Sequence, residues 1–168
     1  MNTHVKTLLT LAVPGVLVLL GVVWGWSSLT QPFPHKASPK ACYPTKVQPG
    51  DRVSPPEVTV SVYNASERVG LAESTMSALE DQGFGPGDVG NAPKGTTVLY
   101  AQIWTEDRTN PAVQLVRSRL GPRSHIIAHK RKGPGVTVMV GPKFHKPVQG
   151  KPSVKVTETA TICSPPTT

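Results

Sequence analysis

Aromatic residues and cysteines are scarce in this chain of 168 residues. Trp, Tyr and Phe supply 5% of it, which leaves little material for a large core. Two cysteines exclude a densely cross-linked scaffold, and the length excludes a large multidomain enzyme. Proline and glycine, with 18 and 15 residues, are plentiful. We therefore expect one modest domain with accessory segments.

The clustered side chains that metal and acid-base chemistry require are also missing. There are five histidines but no HExxH pattern and no cysteine cluster, so we predict no metal site and no cofactor. His125 and His129 are spaced to share a helix face, but their segment reads as strand and turn. Glu80 and Asp81 are neighbours on a predicted helix and point apart. No catalytic residues are predicted, and we do not expect an enzyme.

One long apolar run, Thr7 to Trp26, has no charged residue over twenty positions. As a helix it would span about 30 Å, the hydrocarbon thickness of a bilayer. A cleaved signal peptide is disfavoured because the run ends in Trp-Gly-Trp-Ser-Ser. A lipoprotein is rejected because Cys42 lies sixteen residues beyond the run. We predict a short cytoplasmic tail, residues 1–6, and a transmembrane helix, residues 7–26.

The orientation of this span does not follow from charge alone. Lys6 and the amino terminus lie on one side, and Lys36 and Lys40 lie on the other. A short tail before the span and a long remainder after it are typical of a signal-anchor. We expect a single-pass protein of the cell membrane with its C-terminal domain extracytoplasmic.

Two segments read as accessory. Residues 27–56 contain seven prolines in thirty positions and predict an extended extracytoplasmic linker. Residues 146–168 turn again to Pro, Thr, Ser and Lys and predict a tail, although Val154–Thr157 has the composition of an edge strand.

Between them, residues 57–145 alternate between strand and helix patterns. Val58, Val60 and Val62 share one face of a first strand, and residues 69–82 predict a helix that stops at Gly83. The other expected elements are strands at 84–89, 96–104, 126–128 and 136–140 and a helix that Asn110-Pro111 opens and Gly121 follows. Two successive strand-helix-strand units predict an α+β two-layer sandwich with both helices on one face of a small sheet. Strand order is left open.

The strings VSVYNAS, GLAESTMSALEDQGF, VGNAP, TTVLYA and VTVMVGPKF, in this order, resemble the LytR C-terminal domain family. The resemblance covers residues 57–145 and implies a bacterial envelope protein. Family members often carry this domain after a LytR-CpsA-Psr catalytic domain that attaches glycopolymers to peptidoglycan, and this chain has no room for that ligase. Ala65 and Lys143 depart from the glycine and the acidic residue common in the family. The resemblance therefore implies an anchored accessory or binding protein and gives no catalytic roles to transfer.

Charge is unevenly distributed along the domain. Residues 51–107 carry nine acidic and three basic side chains, whereas residues 117–155 carry ten basic side chains and no acidic one. This pattern indicates either a patch for an anionic polymer or an ordinary solvated face, with Lys130 to Lys132 in a hairpin before Gly133-Pro134-Gly135. The candidate polymer-binding residues are Arg117, Arg119, Arg123, Lys130, Arg131 and Lys132. Nucleic acid is not an expected partner.

Asn64, Ser66 and Arg68 form a polar loop after the first strand. They are candidate ligand contacts, and the structural alternative is a turn whose side chains satisfy free backbone N–H groups. Asn64-Ala65-Ser66 also matches a glycosylation sequon. Ser66 has no evident histidine and acid partners that would make it a nucleophile.

Cys42 and Cys163 flank the domain in what should be an oxidising compartment. We predict that they form an internal disulfide, with an intermolecular bond or two free thiols as alternatives. The leading functional hypothesis is a non-catalytic anchored protein that binds peptidoglycan, its attached anionic glycopolymer or envelope-assembly proteins. The alternatives are a regulatory partner of a LytR-CpsA-Psr ligase and an enzyme that modifies glycopolymer.

Overall fold

The computed structural model describes residues 42–166, which form an α+β fold with nine strands and two α-helices. The strands are β1 (Tyr43–Val47), β2 (Arg52–Val53), β3 (Thr59–Asn64), β4 (Gly85–Asn91), β5 (Ala101–Thr105), β6 (Ser124–Ala128), β7 (Val136–Val140), β8 (Val154–Lys155) and β9 (Ala160–Ser164). The helices are α1 (Leu71–Glu80) and α2 (Pro111–Leu120), and Pro55–Glu57 forms a 3-10 turn. The α+β class is therefore confirmed.

The main sheet has five strands in the order β4-β3-β7-β5-β6. Strands β3 and β4 are parallel neighbours joined through α1, and β5 and β6 are parallel neighbours joined through α2. Strand β7 links the two units because it pairs parallel with β3 and antiparallel with β5. The sheet is therefore mixed. The expected hairpin between β6 and β7 is wrong, because β5 lies between them.

One face of the sheet and both helices share a single apolar cluster. Alternate residues of β3, Val60 and Val62, pack there with alternate residues of β5 and β7 and with the inner sides of the two helices. Leu79 of α1 and Leu115 of α2 are fully buried within this cluster. The alternation of period two on the strands and the helical spacing on α1 and α2 thus meet in one layer.

The helix boundaries follow from local chemistry. Gly70 (φ 76°) precedes α1, and Gly83 (φ 90°) follows it in a left-handed conformation that favours glycine. Asn110 caps α2, since its side-chain oxygen accepts a hydrogen bond from the Ala112 amide at 3.1 Å. The third predicted strand, 96–104, is shorter than expected. Its first half is a loop whose Leu99 and Tyr100 carbonyls accept hydrogen bonds from the segment after β7.

The opposite face of the sheet is covered by the connection between β6 and β7, residues 129–135, which we call the strap. The imidazole of His129 lies on the indole of Trp104 with ring centroids 3.9 Å apart. The ammonium of Lys132 lies 4.6 Å from the centroid of the Tyr63 ring. Gly133 packs so closely against Tyr63 that a Cβ atom there would clash with it. The strap therefore buries the second face without a helix.

The segments on either side of residues 57–145 carry more structure than an extended linker and a tail. Strand β1 pairs antiparallel with β9 over five residue pairs, and β2 pairs with β8. Val53 of β2, Ile162 of β9 and Val156, which follows β8, are buried in the main cluster. The expected edge strand at 154–157 is present as Val154–Lys155, and it pairs with β2. Apolar side chains at isolated positions gave no periodic signal, because these strands are only two to five residues long.

Cys42 and Cys163 form a disulfide, with Cα atoms 5.3 Å apart, so the predicted internal bond is confirmed. The bond joins residues 121 positions apart, at the ends of the β1–β9 pair. Between residues 42 and 166, no helix has the length and apolar character that crossing a bilayer requires. The predicted span, residues 7–26, lies outside the described residues.

Candidate functional site

An open groove of about 600 Å³ lies where β3 and β4 end. We call it the loop groove; it is bordered by residues 64–68, 91–93 and 96–99 and by Pro142. The carboxyl ends of parallel strands are where open α/β sheets commonly bind ligands, because the connecting loops diverge there. The backbone continues the strand pairing into these loops, since Ala92 donates to the Asn64 carbonyl and Ala65 donates to the Val140 carbonyl, both at 2.8 Å.

The predicted polar loop forms one wall of this groove and is a single hydrogen-bonded turn. The Asn64 side-chain oxygen accepts from the amide and the hydroxyl of Ser66, at 2.9 and 2.7 Å. The Asn64 side-chain amide donates to the Arg68 carbonyl at 2.6 Å. The Arg68 guanidinium donates to the Pro142 and Phe144 carbonyls, at 3.3 and 2.6 Å. The structure thus brings Asn64, Ser66 and Arg68 together, and it ties their loop to the segment after β7.

The side chains that line the loop groove offer hydrogen bonds and apolar contacts to a ligand. Ser66 donates its hydroxyl proton to Asn64 and accepts from the Arg68 amide at 3.2 Å, so its oxygen is held within the turn. Glu67 is the single carboxylate on the wall, and neither histidine nor cysteine lines it. Leu99 is 52% exposed at the rim. Amides, hydroxyls and small apolar surfaces are therefore what a ligand would meet.

The six basic residues predicted as one patch differ in burial and in their neighbours. Arg119 is only 6% exposed, and its guanidinium donates to the Lys151 carbonyl at 2.9 Å. It is therefore part of the protein interior, and its assignment to a polymer-binding surface is wrong. A charged residue next to the last residue of a helix looks exposed in the sequence, but the segment 146–151 folds over it.

The remaining five cations lie on α2, just before β6 and in the strap, where Lys130, Arg131 and Lys132 are consecutive. Arg123 immediately precedes β6, where it donates to the Tyr100 hydroxyl at 3.0 Å and stacks over that ring. Lys132 belongs to the strap. Its backbone amide donates to the Thr137 hydroxyl, and that hydroxyl donates to the Lys132 carbonyl. Arg131 lines a small cavity together with Glu106. Arg117 projects from α2 near the edge strand β6, and Lys130 follows that strand.

A polar cluster under the strap, in which Ser61 and Tyr63 are buried and Asp88 is exposed, was not predicted from the sequence. The Ser61 hydroxyl donates to the Pro134 carbonyl at 2.6 Å and accepts from the Asp88 amide at 3.0 Å. The Tyr63 hydroxyl donates to the Asp88 carboxylate at 3.3 Å. Burial, and then the nearby Asp88 charge, raise the pKa of Tyr63 to about 12. The cluster fastens the strap to β3 and β4, and the signal for it was the polar alternation along β3.

No group of three potential metal ligands occurs among residues 42–166. The His129 ring stacks on Trp104, and its Nδ1 lies 2.9 Å from the Lys130 carbonyl oxygen. His125 lies at the β6 edge. The two histidines therefore have different surroundings.

The family described as LytR cell envelope-related transcriptional attenuator matches residues 57–144, more than half of the chain. No curated protein matches. A crystal structure of the soluble domain of a conserved hypothetical secreted protein from Mycobacterium marinum aligns with 24% sequence identity and a TM-score of 0.48. That alignment covers 62% of this chain and 80% of the other. The matched residues span β3 to β7 and both helices, and on this ground the chain belongs to the LytR cell envelope-related transcriptional attenuator family.

Proposed function

We propose that this is a non-catalytic, membrane-anchored protein whose extracytoplasmic domain binds cell-wall polymer in the loop groove and thereby supports envelope integrity. The observation that carries this proposal is the groove itself, about 600 Å³ in volume and lined by amides, hydroxyls and apolar rims. Family membership connects the chain with the cell envelope. The predicted span at residues 7–26 supplies the anchor, and the Cys42–Cys163 disulfide fits an oxidising compartment.

Binding is favoured over catalysis by the chemistry of the lining. General acid-base or nucleophilic catalysis needs a titratable group and a partner aimed at one point. The loop groove offers Glu67 alone, and the Ser66 hydroxyl is held within its own turn. A wall glycan instead presents hydroxyl and acetamido groups, which pair with amides and hydroxyls such as those of Asn91 and Thr97.

Peptidoglycan is a better ligand for this site than the anionic polymers attached to it. The predicted basic patch is divided between the helix layer, the strap and the start of β6, and Arg119 is buried. None of the six predicted cations lines the loop groove, so an anionic polymer bound there would form no ion pair with them.

Cosedimentation with purified sacculi tests this proposal. The full-length protein, kept in a mild detergent, is mixed with intact sacculi and with sacculi stripped of their attached anionic polymers. We expect it to sediment equally with both. Replacing Lys130, Arg131 and Lys132 with Ser should leave this binding unchanged. Binding that is lost on stripping would contradict the choice of peptidoglycan, and failure to sediment with either would contradict the proposed function.

A groove-filling variant locates the ligand. Thr97 is exposed on the groove wall, so Thr97→Trp should block the site and lower sedimentation at least about fivefold. Ser77→Trp adds the same side chain to the exposed side of α1, away from the groove, and serves as the matched control. Equal binding by the two variants would place the ligand elsewhere on the protein.

A further inference from the structure

We propose that β6 is a docking edge for an extended acidic segment of another protein, which adds to the sheet as a sixth strand. This site is separate from the loop groove and goes beyond wall-polymer binding. It is the groove of about 390 Å³ between α2 and the outer edge of β6, here called the edge groove. Its walls include Arg108, Gln114 and Arg117 on one side and residues 124–127 on the other.

Strand β6 has a neighbour on one side only, within the part of the chain that the structure describes. Successive residues of a strand point their backbone groups to alternate edges. The His129 amide donates to the Thr105 carbonyl of the β5 side at 3.2 Å, so the amides of Ile126 and Ala128 point outward. The Ser124 amide is already bonded to the Gly121 carbonyl. Two backbone donors, spaced as a strand ladder requires, therefore point away from β5 along the open edge of the sheet.

The two edges of the sheet differ in how they are protected. The β4 edge carries Gly85, Pro86 and Gly87 and a bulge in its pairing with β3, devices that discourage strand addition. Strand β6, with the sequence SHIIA, has no proline, glycine or charged lysine to block pairing, and its Ile127 is 37% exposed. An open edge with exposed apolar side chains is suited to β-strand addition.

The charged side chains of the edge groove favour an acidic occupant. Arg108 and Arg117 line the edge groove together with His125, and no carboxylate lines it. The Gln114 side-chain amide donates to the Arg108 carbonyl at 2.6 Å, which fixes the loop that carries this arginine against α2. A second copy of the chain paired edge to edge would set these cations against their own duplicates. An extended segment with alternating acidic side chains satisfies both the backbone donors and the arginines.

Fluorescence anisotropy with a synthetic peptide of about twelve residues, alternating Asp and Val, tests the proposal on the full-length protein in detergent. Ala128→Pro removes an outward amide at an exposed position and should weaken binding at least about tenfold. Ala128→Val keeps the amide and is the matched control, expected to bind as the parent does. The corresponding peptide of Lys and Val should not bind.

A second pair of variants tests the charge. Removing both arginines, as Arg108→Ala with Arg117→Ala, should weaken the Asp-Val peptide at least about tenfold. Lys46→Ala with Arg52→Ala removes the same net charge from β1 and β2 and should have little effect.

Hydrogen exchange on the unmodified protein tests strand addition without relying on the proline variant to fold. Peptide binding to the unmodified protein should slow exchange of the Ile126 and Ala128 amides. Unchanged exchange there, or binding unaffected by a folded Ala128→Pro variant, would overturn strand addition. If long-chain polyphosphate bound as tightly as the Asp-Val peptide, and Ala128→Pro weakened neither, the site would be a general anion surface instead. Sacculus binding is read separately, so the two proposals fail independently.

Discussion

Tyr63 and Ser61 illustrate how far residue-level reasoning reaches. Their alternation with Val60 and Val62 along β3 places them on the face opposite the helices, where a small domain would ordinarily expose polar groups. Both are buried, because the strap lies over them and Pro134 accepts the Ser61 hydroxyl. The face of each residue was predictable from the sequence. What covers that face was not, because the strap pattern KRKGPG reads equally well as an exposed turn.

The raised pKa of Tyr63, about 12, predicts a pH dependence of stability. The unfolded phenol ionises near pH 10, so the contribution of the buried neutral phenol is fully present below that pH. It is lost as the pH rises from about 10 through about 12. Asp88→Asn removes the charge but leaves the burial, so the pKa of Tyr63 should fall and stay above 10.

Ultraviolet absorbance of tyrosinate measures this pKa directly. The chain has three tyrosines, and Tyr63→Phe identifies the late phase by abolishing it. A late phase that persists in Tyr63→Phe, or a pKa of Tyr63 unchanged in Asp88→Asn, would contradict the role of the cluster.

At the scale of elements, strong local signals predicted the structure and long-range pairing escaped prediction. Helix α2 was located by Asn110-Pro111 at its start and Gly121 after its end, and β7 by five consecutive apolar or β-branched residues. The strand order was not predictable, since β7 inserts between β3 and β5 through contacts far apart in sequence. The polar loop of Asn64, which lines the loop groove, could be identified in the sequence. The edge groove could not, because it exists only where β6 is an edge strand.

Asn110 joins two elements and offers a test of their coupling. Its side-chain oxygen caps α2, and its side-chain amide donates to the Thr161 carbonyl of β9 at 3.0 Å. Asn110→Ala loses both interactions and should lower the free energy of unfolding by about 1 to 2 kcal/mol.

Asn110→Asp separates these two contributions, because aspartate keeps the cap acceptor and loses the donor to β9. Denaturant unfolding should give a loss intermediate between those of the parent and Asn110→Ala. If Asn110→Asp were as stable as the parent, the bond to β9 would contribute nothing measurable.

For the whole molecule, the family domain is only part of the folded unit. The matched residues, 57–144, exclude β1, β2, β8 and β9, yet Val53 and Ile162 from these strands, and Val156 just after β8, are buried in the main cluster. Full burial of such a side chain stabilises a protein by about 1.5 to 3 kcal/mol. Proline-rich composition concealed this contribution, since short strands surrounded by Pro and Thr have no detectable period.

The disulfide should account for much of the stability of this arrangement. Closing a loop of 121 residues corresponds to about 4 to 5 kcal/mol in the chain-entropy description, and measured losses are commonly about 2 to 4 kcal/mol. Replacing both Cys42 and Cys163 with Ser should therefore lower the free energy of unfolding by about 2 to 4 kcal/mol.

Denaturant unfolding with and without reductant measures this loss. Reductant should destabilise the parent protein and leave the double Ser variant unchanged, and intact mass under nonreducing conditions should fall by about two daltons relative to the reduced chain. A linked dimer in nonreducing conditions would contradict the internal bond.

The Cα atoms of Cys42 and Cys163 lie 5.3 Å apart, so the first and last segments of the described fold are adjacent in space. In mechanical terms, tension applied across the two ends loads a covalent bond before it reaches any strand of the five-stranded sheet. In terms of chain connectivity, the disulfide closes residues 42–163 into one covalent loop. New ends opened at an exposed turn such as Gly95, with the original ends joined by a short linker, should therefore yield a circular permutant with the same fold.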